Sequence, residues 1–254
     1  MESHIRQFGL IGYPLGHSFS KGHFSSKFER EGLEGFSYEN FEIESAGQVL
    51  EIVGNHPNLV GLNVTIPHKR AVMPYLDEID PEATDIGAVN TIKVIRTGDR
   101  FRLHGYNTDG TGFTRSLAGW QLYPSVRALI FGTGGSSLAV KYALGQSGIR
   151  YTQVSRNPSD GELGYGSITE KVAMGHLLWI NCTPVGMYPD IHRMLPLPYQ
   201  FLTSSHYLYD LVYNPGVTEF LRMGKLAGAF TRNGRAMLYE QAEASWEIWV
   251  RKSP

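Results

Sequence analysis

The stretch RALIFGTGGSS (127–137) decides how the rest of the chain is read. Its apolar run, Ala128 to Phe131, is short enough for a buried strand. Gly132 closes the run, and Gly134 and Gly135 follow at once. Beyond them the segment 136–148 has the length and apolar content of a helix. Strand, glycine turn and helix open a βαβ unit, whose next strand lies parallel to the first. YTQVS (151–155), LLWINCT (177–183) and YLYDLVY (207–213) supply further strands. The second half of the chain is therefore expected to be α/β with a parallel sheet.

The first hundred residues alternate in the same way. FGLIG (8–12), the segment 38–43 and LVGLNVT (59–65) read as strands, with helices expected over 20–32 and 45–54. Ser45 is placed to cap the second of these, and Pro67 sits where another helix can begin, because its missing N–H is one the first turn leaves unpaired. VNTIKVIR (89–96) and RFRLHGY (100–106) form a hairpin around Thr97-Gly98-Asp99. A helix is expected over 108–117, and a last one over 234–251 that returns to the first domain. The fold class is thus α/β in two domains. The first takes residues 1–106 and is completed by 233–254; the second takes 107–232.

Composition narrows the function classes. The chain has 254 residues, 42% apolar and 19% charged, which is globular rather than disordered. With 23 basic and 24 acidic residues its net charge is -1, so no long-range field draws it to nucleic acid or to an acidic membrane surface. Cys182 is the only cysteine, which excludes an intrachain disulfide and a cysteine-rich zinc site. No apolar run approaches the ~20 residues of a membrane helix, and the first residues carry no secretory signal pattern. A cytoplasmic protein without nucleic-acid or membrane partners is expected.

The glycine turn suits a dinucleotide. Gly132, Gly134 and Gly135 let the backbone approach a pyrophosphate, and the following helix N-terminus offers N–H groups and positive potential. The third fingerprint glycine would fall at 137, where the chain has Ser137. About twenty residues on, an NAD site offers an acid to the ribose 2′-hydroxyl. Here the strand ends in VSRNPS, and Arg156 stands where the acid would be. A planar guanidinium suits a 2′-phosphate, so NADP is expected over NAD.

A dehydrogenase also needs a proton carrier at the alcohol oxygen. None of the 14 tyrosines has a lysine four residues on, and no ligand-spaced set of residues suggests a metal. Polar residues at strand ends of the first domain remain: Ser18 and Ser20, Asn63 and Thr65 with Lys69 just beyond, Asn90, and Asp109. Each alone is an ordinary cap, turn or surface residue. Together, on elements leading into one crevice, they suit a small polyol.

Eight motifs in order carry a family resemblance: GYPLGHSFS (12–20), GLNVTIPHK (61–69), GAVNT (87–91), GYNTDGTG (105–112), GTGGSS (132–137), INCTPVGM (180–187), DLVYNP (210–215) and NGRAMLYEQA (233–242). Over nearly its full length the chain resembles the shikimate dehydrogenases. The resemblance implies a two-domain enzyme, with a Rossmann-type domain, that reduces 3-dehydroshikimate to shikimate with NADPH on the route to chorismate and the aromatic amino acids. It implies Lys69 as general acid/base with Asp109 as partner. Asn63, Thr65, Asn90 and Gln241 would hold ring hydroxyls, and Ser18, Ser20 and Tyr213 the carboxylate. Gly132, Thr133, Gly134, Gly135 and Ser136 would cradle the pyrophosphate, Ser155, Arg156 and Asn157 the adenosine phosphate, and Leu211 and Gly234 would lie near the nicotinamide. The chain departs from the family at Lys21, where proline is usual, at His23-Phe24, at Cys182 and in the SRN of 155–157. Two other readings remain open: a relative acting on quinate or an aminated substrate with NAD or NADP, and a non-catalytic metabolite or nucleotide binder. A monomer and a homodimer fit equally.

Overall fold

Two six-stranded sheets organise the chain, one in each of two compact units, Met1–Thr108 with Ala242–Pro254 and Asp109–Gln241. The computed structural model describes residues 5–16, 19–120, 122 and 125–251.

The first unit runs β1 (Arg6–Gly12), α1 (Phe19–Arg30), β2 (Phe36–Glu42), α2 (Val49–Asn55), β3 (Leu59–Val64), α3 (His68–Ala71), β4 (Glu78–Ile79), α4 (Pro81–Ile86), β5 (Thr91–Thr97) and β6 (Arg100–Tyr106). Its strands lie in the order β2-β1-β3-β5-β6-β4. β1 is parallel to β2 and β3, whereas β5 is antiparallel to both β3 and β6. Successive side chains on a strand face opposite ways, and the two faces differ in chemistry. Ile11, Leu62, Val64 and Ile92 belong to an aliphatic core, while Phe8, Phe24, Phe28, Tyr38 and Trp249 form an aromatic one. Trp249 donates its indole N–H to the Ile92 carbonyl at 3.0 Å. Its ring lies so close to Gly61 that any Cβ there would overlap it. Lys27 is buried and binds Glu243 at 2.7 Å, tying α1 to residues beyond Ala242.

The second unit runs α5 (Asp109–Ser116), β7 (Arg127–Phe131), α6 (Gly135–Gln146), β8 (Arg150–Ser155), β9 (Leu163–Gly164), α7 (Glu170–Gly175), β10 (Leu178–Asn181), β11 (Tyr207–Asp210), α8 (Glu219–Leu226), β12 (Phe230–Asn233) and α9 (Arg235–Val250), whose residues from 242 on count with the first unit. All its strands are parallel, in the order β12-β11-β10-β7-β8-β9. The chain winds outward from β7 one way and from β10 the other, which is the doubly wound arrangement. β7, β10 and β11 are buried on both faces, which explains why their sequences are continuous apolar runs instead of alternating ones.

Several elements differ from the sequence expectation for local reasons. The strands expected over 177–183 and 207–213 end at Asn181 and Asp210. At both places the side-chain oxygen accepts the N–H two residues on, Thr183 at 2.9 Å and Val212 at 3.0 Å, and turns the backbone out of the ladder. α4, α7 and α8 have no counterpart in the sequence reading. They are short, with six to eight residues each, and their N-caps Asp80, Thr169 and Thr218 hold them. The unit boundaries fall at 108/109 and 241/242, where the sequence reading put 106/107 and 232/233. Thr108 bonds to Asn90 in the first unit, and Met237 joins Phe113 in a core of the second. Among the described residues no helix is long and apolar enough to cross a membrane.

Candidate functional site

In the first unit the sheet brings Asn63, the penultimate residue of β3, opposite Thr91 at the start of β5. Asn63 and Asn90 are both buried, so their amides need partners. Tyr38 donates its hydroxyl to Asn63 Oδ1 at 2.8 Å, and Asn63 Nδ2 donates to Ser245 Oγ at 3.0 Å. Ser245 also meets Thr91 Oγ1 at 2.8 Å and Thr108 Oγ1 at 3.1 Å. Asn90 Oδ1 accepts the Thr108 N–H at 2.8 Å, and its Nδ2 donates to Thr108 Oγ1 at 3.0 Å. The hydroxyl of Ser20, in the first turn of α1, bonds to Tyr38, whose phenol is pushed far up by burial. One chain of hydrogen bonds therefore runs from Ser20 through Asn63 and Ser245 to Asn90.

Lys69 lies one turn past this cluster. The chain leaves β3 at Val64, Thr65 donates its N–H to Ile11 O at 2.9 Å, and α3 follows. Within α3, His68 is buried with its ring on the Ile43 carbonyl at 2.6 Å, whereas Lys69 is half-buried. The Lys69 carbonyl accepts the Val89 N–H at 2.8 Å, which binds its turn to the segment that carries Asn90 and leads into β5. Lys69, Thr65, Asn63 and Asn90 are thus held on neighbouring segments of one unit. Ser18 lies outside the described residues.

In the second unit the glycine turn sits at the end of β7, beside β10, where the strand order reverses. Gly132 has φ +105°, and a Cβ there would meet Thr183 Cγ2 at 2.9 Å. Only glycine fits both conditions. Gly134 caps α6 with ordinary φ -75°, and no atom comes within 4 Å of where its Cβ would be. Thr133 and Gly134 are exposed, and Gly135 and Ser136 open the helix half-buried. Ser137, in place of the third glycine, donates its hydroxyl to the Gly134 carbonyl at 2.7 Å and tightens the turn. The twelve-residue α6 begins here with open space at the Gly134 Cβ position, and a helix start of this kind could hold a pyrophosphate. At the next strand end Ser155 is buried and Arg156 and Asn157 are exposed.

Leu211 and Gly234 are in direct contact, since a Cβ on Gly234 would overlap the Leu211 carbonyl. Asp109 is buried as the first residue of α5, and Gln241 packs on Gly112, one turn along that helix. Tyr213 is partly exposed, and burial of its ring raises its phenol pKa. The second unit also holds a buried polar cluster of its own. Asp210 accepts from Asn181 Nδ2 at 2.9 Å, Val212 N at 3.0 Å and Thr218 Oγ1 at 2.5 Å. Burial pushes its carboxyl up to about 7 against these three donors. Burial likewise pushes the Cys182 thiol up, with the nearby Asp210 adding to it. Among the described residues no group of three or more His, Cys, Asp or Glu could hold a metal ion.

Comparison with known proteins decides what the two units are. Residues 10–92 match the model of the shikimate dehydrogenase substrate binding domain. The shikimate dehydrogenase (NADP(+)) of Desulforamulus reducens is 36% identical over 263 residues, covering 95% of this chain and 89% of that protein. The chain belongs to the shikimate dehydrogenase family. Among solved structures, the shikimate 5-dehydrogenase of Thermus thermophilus in complex with NADP(H) and shikimate is 31% identical, with a TM-score of 0.84 over 98% of this chain and 95% of that one. A quinate dehydrogenase of Corynebacterium glutamicum in complex with NAD is 27% identical, with the same TM-score of 0.84 over 96% and 93%. The doubly wound unit is thus the Rossmann-type domain of a shikimate dehydrogenase fold, and the mixed-sheet unit its N-terminal α/β domain. Within this family fold the sequence reading missed Tyr38, Thr91, Thr108 and Ser245. NTI and NTDG carry two of them openly in the motifs, but no local pattern marks Tyr38 or Ser245.

Proposed function

We propose that the chain is an NADP-dependent shikimate dehydrogenase that reversibly reduces 3-dehydroshikimate to shikimate. The observation that carries this reading is that one chain holds both a buried amide–hydroxyl cluster beside Lys69 and a nucleotide cradle at the switch point of a doubly wound sheet. The first unit acts as the substrate domain and the second as the NADP domain. Bound NADPH supplies the hydride. Lys69 carries a proton on its ammonium and gives it to the forming alkoxide; in the reverse direction the amine takes the proton back. Asp109 holds that ammonium. Asn63, Thr65, Asn90 and Gln241 hold ring hydroxyls, and Ser18, Ser20 and Tyr213 the carboxylate. Hydroxyl and amide partners discriminate by leaving buried groups unpaired when a substrate lacks a matching hydroxyl. Arg156 favours the phosphate form of the cofactor. The enzyme works in the cytoplasm as a monomer or homodimer.

The test is direct. Purified protein given shikimate and NADP at alkaline pH is expected to produce the absorbance band of reduced nicotinamide. A panel with quinate, and a comparison of NADP with NAD at equal concentration in which NADP is expected to win, separates this reading from its enzymatic rival. Binding of shikimate without turnover of any cyclohexene acid would replace it with the non-catalytic reading.

A further inference from the structure

β8 ends in Ser155, and the residues that follow it in sequence, Arg156 and Asn157, include no acid. In a doubly wound nucleotide fold this strand end meets the adenosine ribose, and the group there chooses between a 2′-hydroxyl and a 2′-phosphate. The structure delivers an acid to the place from further along the chain. Glu162 folds back so that its Oε2 accepts the Ser155 hydroxyl at 3.1 Å and the Ser159 N–H at 3.1 Å. Its own N–H donates to the Ser159 carbonyl at 3.0 Å. Immediately after it, β9 pairs Leu163 with Val154 and Gly164 with Ser155. Glu162 is therefore held in register beside the end of β8 and only half-exposed.

We propose that Glu162 is a specificity-determining residue: it supplies in space the ribose acceptor that the end of β8 lacks in sequence, so that the site takes NAD as well as NADP. The proposal rests on reading 155–157 as the adenosine end of the cofactor site. A carboxylate there can accept a hydrogen bond from a ribose 2′-hydroxyl. Toward a 2′-phosphate it is a like charge, and it already occupies two donors, Ser155 Oγ–H and Ser159 N–H, that a phosphate would use. Arg156 acts in the opposite sense, since its exposed guanidinium attracts the phosphate and does little for a hydroxyl. The preference for NADP over NAD is then the difference between two opposed groups on one short loop. Solvent screening keeps each effect moderate.

Titration calorimetry on the resting protein, with NADP+ and NAD+ separately and no substrate, reads both affinities without turnover. Glu162→Gln is expected to tighten NADP+ about three- to tenfold and to weaken NAD+ by a similar factor. Glu162→Ala should shift the ratio of the two dissociation constants the same way. Arg156→Ala should weaken NADP+ roughly tenfold and leave NAD+ within about twofold. If both Glu162 variants keep the wild-type ratio within about twofold while Arg156→Ala still weakens NADP+, Glu162 has no part in the choice and the proposal is wrong. If Arg156→Ala also changes neither affinity, residues 155–157 are not the adenosine end, and the reading beneath the proposal fails with it.

Discussion

The two units hold their chemistry at the sheet ends in opposite ways. In the first, side chains do the work: Asn63, Asn90, Thr91, Thr108 and Ser245 are buried and hydrogen-bonded to one another. In the second, the proposed cradle is made of backbone, and its defining feature is the absence of side chains at Gly132 and Gly134. The contrast follows from the ligands the two units are proposed to take. A ring with several hydroxyls is told from its relatives only by directed donors and acceptors, whereas any pyrophosphate is met by N–H groups at a helix start. The first unit should therefore be sensitive to the chemistry of a substitution and the second to its size.

The strongest test of the contrast is Lys69→Ala. Losing a general acid/base should lower kcat roughly 10³-fold, with shikimate affinity changed only a few-fold. Steady-state kinetics with a separate binding titration measures both, and near-normal turnover would remove Lys69 from the chemistry. Asp210→Asn probes the exception, a buried side-chain cluster in the backbone-built unit. Its carboxyl keeps its proton to about pH 7 in the folded chain, whereas the unfolded chain gives it up near pH 4. The folded state thus binds the extra proton, so this group's contribution is fully present below about pH 4 and is lost as pH rises through 7. Relative to Asp210→Asn, wild-type stability should fall over that window by up to about 4 kcal/mol, as read by denaturant unfolding at several pH values. A flat difference would mean that the three donors hold the carboxylate ionised throughout.

Smaller effects separate size from chemistry. Gly132→Ala places a Cβ 2.9 Å from Thr183 Cγ2 at φ +105°, and should cost about 1–3 kcal/mol of stability as well as weakening NADP+ at least tenfold. Gly134→Ala, at φ -75° with open space around it, should weaken NADP+ and leave the melting temperature nearly unchanged. If the two lower stability equally, the space at Gly134 is not the cradle. Ser245→Ala should cost about 1–2 kcal/mol, because it leaves the Asn63 amide and two threonine hydroxyls to repair their bonds. Its kinetic mark should be a several-fold rise in KM for shikimate with NADP+ affinity unchanged. A change in NADP+ affinity of the same size would show a general structural defect.

Most strands and the long helices could be read from the sequence because their causes lie within a window of ten or so residues. The run before Gly132 and the hairpin around Gly98, with φ +60°, are of this kind. The short helices α4, α7 and α8 were not legible, since six to eight residues hold too little periodicity to stand out from a polar loop. Among site residues, those in the motifs were visible and their partners were not. Asn63 is plain in GLNVT, but the serine that orients its amide lies 182 residues away.

By itself the sequence determined the α/β alternation, the glycine turn and the family to which the chain belongs, because periodicity and backbone freedom are properties of consecutive residues. It also showed Arg156 after the strand and no acid beside it. Only the tertiary structure decided that Glu162 returns to Ser155, that Ser245 joins Asn63 to Thr108, and that Thr218 and Asn181 share one carboxylate. A buried polar group must find a partner wherever packing brings one, and distance along the chain places no limit on which residue that is.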